Sequence, residues 1–147
     1  MGSIIESVEI ARPPEDVFAY LDQLDRHGEW QNEIISAKVD TEGPVRVGTR
    51  VTEVRNVPGG KREISYEITA HDPPRSSSFR GVNGPIRVVG TATVEPAGEG
   101  RSRVTIDLDF EGHGLGKLLV PIVRRDARKR VPVNQAKLKE RLESGAS

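Results

Sequence analysis

The chain has 147 residues, and we expect one domain over residues 1–147 with a substantial buried core. Its 22 basic and 22 acidic residues balance, so no global charge favours nucleic acid or an anionic surface. The absence of cysteine excludes disulfides, thiol nucleophiles and cysteine metal sites. No stretch resembles a signal peptide or a membrane span, and we therefore expect a soluble, cytoplasmic protein.

The N-terminal part is predicted to form a strand followed by a short helical segment. Residues 4–11 alternate with period two, which places Ile4, Val8 and Ile10 on one face. A helix start follows at residues 13–16, where two prolines precede two acidic residues. Gly28 breaks the helical segment that follows.

Six further strands are predicted between residues 34 and 111, separated by turns rich in glycine and proline. Tight turns between such strands indicate an antiparallel meander with one apolar face. Alternation assigns the following residues to that face: Ile35, Ala37, Val39, Ile64, Tyr66, Ile68, Ala70, Ile86, Val88, Gly90, Ala92, Val94, Val104, Ile106, Leu108 and Phe110.

The last third, residues 114–142, is predicted to be one long helix with a single apolar stripe. The stripe consists of Val120, Val123, Ala127, Val131, Asn134, Leu138 and Leu142. Pro121 and Pro132 project away from it, so a proline bend would curve the helix over a twisted sheet. Residues 112–116 are interpreted as a flexible joint that lets the helix move, which is a hypothesis.

The order of these elements resembles the START-like (SRPBCC, helix-grip) superfamily, and within it the polyketide cyclase/dehydrase and lipid-transport family. The supporting residues are the run 10–21, Trp30, the turn at 72–75, the run 128–134 and Leu138-Lys139. The resemblance implies an α+β helix-grip fold in β-α-α-β6-α order. A curved antiparallel sheet of about seven strands would surround the long C-terminal helix. It also implies a deep cavity, but not one activity, because the family includes carriers, receptors and cyclases.

We therefore predict that a lipid-like or polyketide-like molecule binds between the sheet and the C-terminal helix. Inward residues with small side chains, Gly90, Ala92 and Ala70, would leave room for it beside Tyr66 and Phe110. The predicted ligand-binding residues are Trp30, Tyr66, Ile68, Phe79, Val88, Gly90, Ala92, Ile106, Leu108, Phe110, Val123, Ala127, Val131 and Asn134.

Polar candidates within this set are few. Tyr66 is a weak catalytic candidate, because its hydroxyl would orient or protonate a ligand carbonyl, but a core tyrosine bonded to backbone or water is favoured. The amide of Asn134 would anchor a ligand or bridge a buried water. Trp30 fits either the core or a stacking wall at the cavity mouth. Three isolated histidines predict no metal site, and no cofactor is predicted.

Two alternatives to a carrier stay open. One is a polyketide cyclase or dehydratase that uses the same cavity and Tyr66. The other is a protein-interaction module, for example a homodimer, because a second apolar patch lies well round from the helix stripe. That patch consists of Leu115, Leu118, Leu119 and Ile122. The basic run at residues 124–130 is interpreted as a solvated face rather than a docking site for an anionic membrane or acidic partner.

Overall fold

The structure is a computed structural model and describes residues 3–147. It contains seven strands, two α-helices, and two 3-10 segments that precede β2 and α2. The elements in chain order are β1 (Ile4–Ile10), α1 (Pro14–Leu21), a 3-10 segment (Leu24–Glu29), β2 (Ile34–Val39), β3 (Arg50–Val57), β4 (Gly60–Asp72), β5 (Ser76–Gly81), β6 (Ile86–Pro96), β7 (Ser102–Gly112), a second 3-10 segment (Gly114–Leu118) and α2 (Val120–Glu143).

All seven strands form one sheet in the order β1-β7-β6-β5-β4-β3-β2, and every neighbouring pair is antiparallel. Strands β2 to β7 form a meander, and β1 closes against β7 at the other end. The long helix α2 packs against β1 and β7. This arrangement confirms the predicted α+β helix-grip class, the order of elements and the curved antiparallel sheet.

Two residues predicted to point inward are exposed instead. In β2 the register with β3 shifts between Ile34 and Ser36, so that Ile34 is buried and Ile35 is 47% exposed. In β4 a similar shift lies between Ile68 and Ala70, and Ala70 is exposed. In both cases a β-bulge adds one unpaired residue to the strand and reverses the alternation beyond it.

The C-terminal helix begins later than the pattern predicts. Residues 114–118 form a 3-10 turn, and α2 starts at Val120, with Pro121 in its first turn. A Cβ on Gly116 would lie 2.1 Å from the carbonyl oxygen of Pro85, so this segment is seated against the turn before β6. Gly112 and Gly116 thus permit close backbone contact, and the interpretation of residues 112–116 as a flexible joint stays a prediction.

The main core lies at the C-terminal half of α2. Leu138 and Leu142 are fully buried and pack with residues of α1, β1, β6 and β7. The Arg12 guanidinium donates to the Leu142 carbonyl at 2.7 Å, which fixes the end of the helix. The prolines at 121 and 132 are exposed, as the stripe predicts. The second half of α2 is therefore anchored in the core.

Candidate functional site

A cavity of about 350 Å³ lies between the sheet and the first half of α2. Most of its wall is apolar and comes from β4 to β7, from α1 and from the segment that ends at Trp30. On the helix side it is covered by Val123, Ala127 and Val131, which are only partly buried. The apolar stripe of α2 therefore packs in the core at Leu138 and faces the cavity in the first half of the helix. A second depression of about 270 Å³, with both polar and apolar walls, lies on the surface beside Ile35.

The predicted ligand-binding residues lie together around this space, with one exception. Those that line the cavity are Trp30, Tyr66, Ile68, Phe79, Val88, Ala92, Ile106, Leu108, Phe110, Val123, Ala127, Val131 and Asn134. Gly90 does not line it. A Cβ there would lie 2.7 Å from the Phe79 ring and 3.0 Å from the Leu108 Cβ. Gly90 therefore lies behind these two side chains, which line the cavity. The role of the predicted residues in ligand binding stays a prediction.

Trp30 combines the two roles that its sequence position left open. It is 5% exposed and packs in the main core, and it also lines the cavity. Its ring centroid lies 5.3 Å from that of His27. Its indole Nε1 is buried without a hydrogen-bond partner among the described residues. Because it is the only tryptophan in the chain, its fluorescence reports on this wall.

A charged cluster at one side of the cavity was not predicted. Asn134 Nδ2 donates to both carboxylate oxygens of Glu33, at 3.1 and 2.9 Å. Arg55 Nη2 donates to the same carboxylate at 3.0 Å and to the Gln31 side chain. These bonds tie β3 and the loop before β2 to α2. The Asn134 amide nitrogen is therefore engaged by Glu33.

The buried carboxylate of Glu53 lies beside this cluster. Glu53 is 3% exposed, lines the cavity and has Arg55 Nη1 as its ionic neighbour at 3.6 Å. We call Glu33, Glu53, Arg55, Tyr66 and Asn134 the polar end of the cavity. The alternation of β3 contains a signal for two of them, because charged residues at positions 53 and 55 share the face of Val51. Glu33 lies in a loop without any such pattern.

Two ionisable side chains on the wall keep their neutral forms. Burial raises the pKa of the Tyr66 hydroxyl well above its usual range, and the nearby Glu53 carboxylate raises it further. Burial lowers the pKa of His27, although its hydrogen bond to the Leu21 carbonyl acts in the opposite direction. His27 Nε2 donates to that carbonyl at 2.7 Å, so the neutral ring leaves Nδ1 as an acceptor.

The second apolar patch is exposed at the start of α2. Leu115 and Leu118 are 84% and 75% exposed, and Leu119 and Ile122 are exposed while also lining the cavity. The patch therefore forms part of the cavity rim. In the adjoining basic run, Arg124 pairs with Asp109 at 2.7 Å and lowers the pKa of that carboxyl.

Neither a metal-binding group nor a membrane-spanning helix is found in residues 3–147. These residues contain no group of three His, Cys, Asp or Glu side chains placed to hold a metal ion. Within the same residues, no helix is both long and apolar enough to cross a membrane.

Comparison with known proteins agrees with this architecture. Residues 1–143 match the family described as polyketide cyclase/dehydrase and lipid transport. The chain belongs to this family. The match spans every strand of the sheet and the whole of α2, so membership in the polyketide cyclase/dehydrase and lipid transport family applies to the complete fold. No curated protein is a significant match.

Three similar solved structures cover nearly the whole chain. The protein TTHA0849 from Thermus thermophilus is 25% identical, with a TM-score of 0.81 and 99% of each chain covered. A START superfamily protein from Mycobacterium smegmatis is 15% identical, with a TM-score of 0.79 and 97% of each chain covered. The Zhui aromatase/cyclase from Streptomyces sp. R1128 is 14% identical, with a TM-score of 0.75, covering 99% of this chain and 98% of that one. These similarities establish the START-like fold of this family member.

Proposed function

We propose that the protein binds one apolar or amphipathic small molecule, of lipid or polyketide type, in the cavity beneath the first half of α2. The observation that carries this proposal is a space of about 350 Å³ with mostly apolar walls. Burial of apolar ligand surface there would contribute about 25 cal/mol per Å². The few polar groups at the polar end would fix the ligand's orientation.

Mass spectrometry of the protein purified under native conditions tests this proposal. We expect an added mass on the native protein that disappears after denaturation, and an apolar or amphipathic compound in the organic extract. Protein that remains free of added mass after incubation with a range of lipid-like and polyketide-like compounds would contradict it. We place this binding activity in the cytoplasm, and cell fractionation tests that location.

A second proposal is that the cavity also catalyses a cyclisation or dehydration. Support comes from the family and from Tyr66, whose hydroxyl lies on the cavity wall beside Glu53. Because its raised pKa keeps the hydroxyl protonated, Tyr66 suits hydrogen-bond donation to a ligand carbonyl better than proton release. Tyr66→Phe is expected to abolish turnover of a poly-β-keto substrate while leaving its binding nearly intact. Unchanged turnover would remove Tyr66 from the mechanism.

A third proposal is that the exposed patch at the start of α2 pairs two copies of the chain. Leu118 is exposed and does not line the cavity, so Leu118→Asp tests docking without altering the cavity wall. Val133→Asp, at an exposed apolar position within α2, is the matched control. We expect Leu118→Asp alone to reduce the mass measured in solution from dimer to monomer. Equal masses for both variants and the parent protein would exclude this role.

A further inference from the structure

We propose that the cavity selects an amphipathic ligand whose buried end is a hydrogen-bond donor, a hydroxyl or an ammonium, and that the Glu53 carboxylate accepts this donor. The inference rests on the proposed function and names the chemical class of ligand that the same cavity takes. It also predicts that a carboxylate of equal chain length is rejected.

The first argument is the charge balance of the polar end. Among the described residues of this cluster, Arg55 is the one cation facing two carboxylates. Its Nη2 group is committed to Glu33 at 3.0 Å, and Asn134 also donates to Glu33. The distance from Arg55 Nη1 to Glu53 is 3.6 Å, longer than an ordinary N–H···O hydrogen bond. The cluster thus carries one negative charge in excess, at Glu53.

The other charged side chains on the cavity wall do not supply the missing cation. Asp126 and Arg130 pair with each other along α2 at 2.8 Å. Asp22 accepts hydrogen bonds from His71 at 3.0 Å. Arg62 lies opposite Arg55 in the register of β3 and β4, but it is exposed, and Arg55 is the cation paired with Glu53 among the described residues. The excess charge therefore stays with the buried carboxylate of Glu53.

The second argument is that this carboxylate has unused hydrogen-bonding capacity. Glu53 is 3% exposed and faces the cavity, and the donors beside its carboxylate are the Tyr66 hydroxyl and, at 3.6 Å, Arg55 Nη1. Because a carboxylate offers about four acceptor positions, these two neighbours leave room for a further donor. A buried charged group in that state is costly, and a donor that reaches it forms a charge-assisted bond. A ligand hydroxyl or ammonium meets this requirement. A ligand carboxylate adds a second negative charge, which is repelled strongly where water is excluded.

A matched series of ligands tests the proposal. Wild-type protein is titrated with 1-decanol, 1-decylamine and decanoate in competition with the neutral fluorophore N-phenyl-1-naphthylamine. The emission of Trp30 serves as an independent readout on the cavity wall. At neutral pH the three compounds differ at one end only, as a hydroxyl, an ammonium and a carboxylate. We expect the alcohol and the amine to bind at least about tenfold more tightly than decanoate, a factor that corresponds to about 1.4 kcal/mol.

The variant Glu53→Gln assigns the selectivity to one side chain. It retains the size of the side chain and removes its charge, so the ratio of decylamine affinity to decanoate affinity is expected to fall by about tenfold. Glu95→Gln makes the same change at an exposed position of β6 and is expected to keep the wild-type ratio. Thermal unfolding of both variants checks that they are folded.

The outcomes separate this inference from the proposed function. Decanoate binding as tightly as the alcohol and the amine, or a wild-type ratio in a folded Glu53→Gln variant, overturns the inference while leaving a ligand-binding cavity. If Glu53→Gln does not fold, the wild-type series alone decides. If neither the fluorophore nor any of the three compounds binds, the proposed function fails, and the inference fails with it.

Discussion

Gly90 shows how a single position in the sheet controls the shape of the cavity. It lies on β6 between Phe79 of β5 and Leu108 of β7, which are its partners in the two neighbouring strands. A methyl group at this position would approach the Phe79 ring, the Leu108 Cβ and the Asp107 carbonyl oxygen to 2.7, 3.0 and 3.1 Å. Only a residue without a side chain therefore permits the present position of the Phe79 ring.

Gly90→Ala is expected to destabilise the protein by about 1–3 kcal/mol, because it overpacks the wall. It is also expected to weaken ligand binding, since Phe79 lines the cavity and its ring is displaced toward the ligand. Chemical denaturation and the fluorophore titration measure the two effects. Gly28→Ala, whose added Cβ meets nothing closer than 3.5 Å, is the control. Unchanged stability of Gly90→Ala would show that the wall is not tightly packed there.

Most of the cavity wall could be predicted from the alternation of the strands, but its charged side could not. Apolar residues such as Ile68 and Val88 follow a period of two and were assigned to the correct face. Glu53 and Arg55 follow the same period, but Arg55 also pairs with Glu33, which lies in a loop. A loop has no periodic pattern, so the contact between Glu33 and Asn134 could be identified only from the three-dimensional structure.

At the scale of elements, α2 divides into a half that stabilises the fold and a half that covers the cavity. Leu138 is fully buried in the main core, whereas Val123 is partly exposed and lines the cavity. In the sequence, Leu138 and Val123 belong to the same apolar stripe of α2. The difference arises because the core residues of α1, β1, β6 and β7 pack on the C-terminal half of the helix.

This division predicts unequal effects of two similar truncations. Leu138→Ala is expected to lower the free energy of unfolding by about 2–5 kcal/mol, because it leaves a void in a packed core. Val123→Ala borders a space that is already open, so its effect on unfolding is expected to be much smaller. Its main effect is expected on ligand affinity. Urea denaturation of both variants measures the contrast, and an equal loss of stability in both would contradict the division.

The boundaries of elements were the least predictable part of the fold. The number of strands, their order and the apolar stripe of α2 followed from periodicity and are confirmed. The bulges in β2 and β4 were missed because an unpaired residue is defined by the register of the partner strand. The start of α2 was placed too early because the seating of Gly116 on the turn before β6 is a tertiary contact.

At the scale of the whole molecule, the fold separates a packed end from an open one. The packed end contains α1, β1 and the C-terminal half of α2, and it is closed by fully buried leucines. At the open end, the first half of α2 spans the sheet without filling the space between them. The exposed leucines at the start of α2 border this space, so the rim is apolar on the outside as well.

The most direct test of this account fills the cavity and measures whether binding disappears. Ala127 lines the cavity from α2, and Ala136 is an exposed alanine on the same helix. We expect Ala127→Phe to fold and to lose N-phenyl-1-naphthylamine binding in a fluorescence titration, while Ala136→Phe binds as the parent protein does. Equal binding by the two variants would contradict the claim that the space beneath α2 is the ligand site.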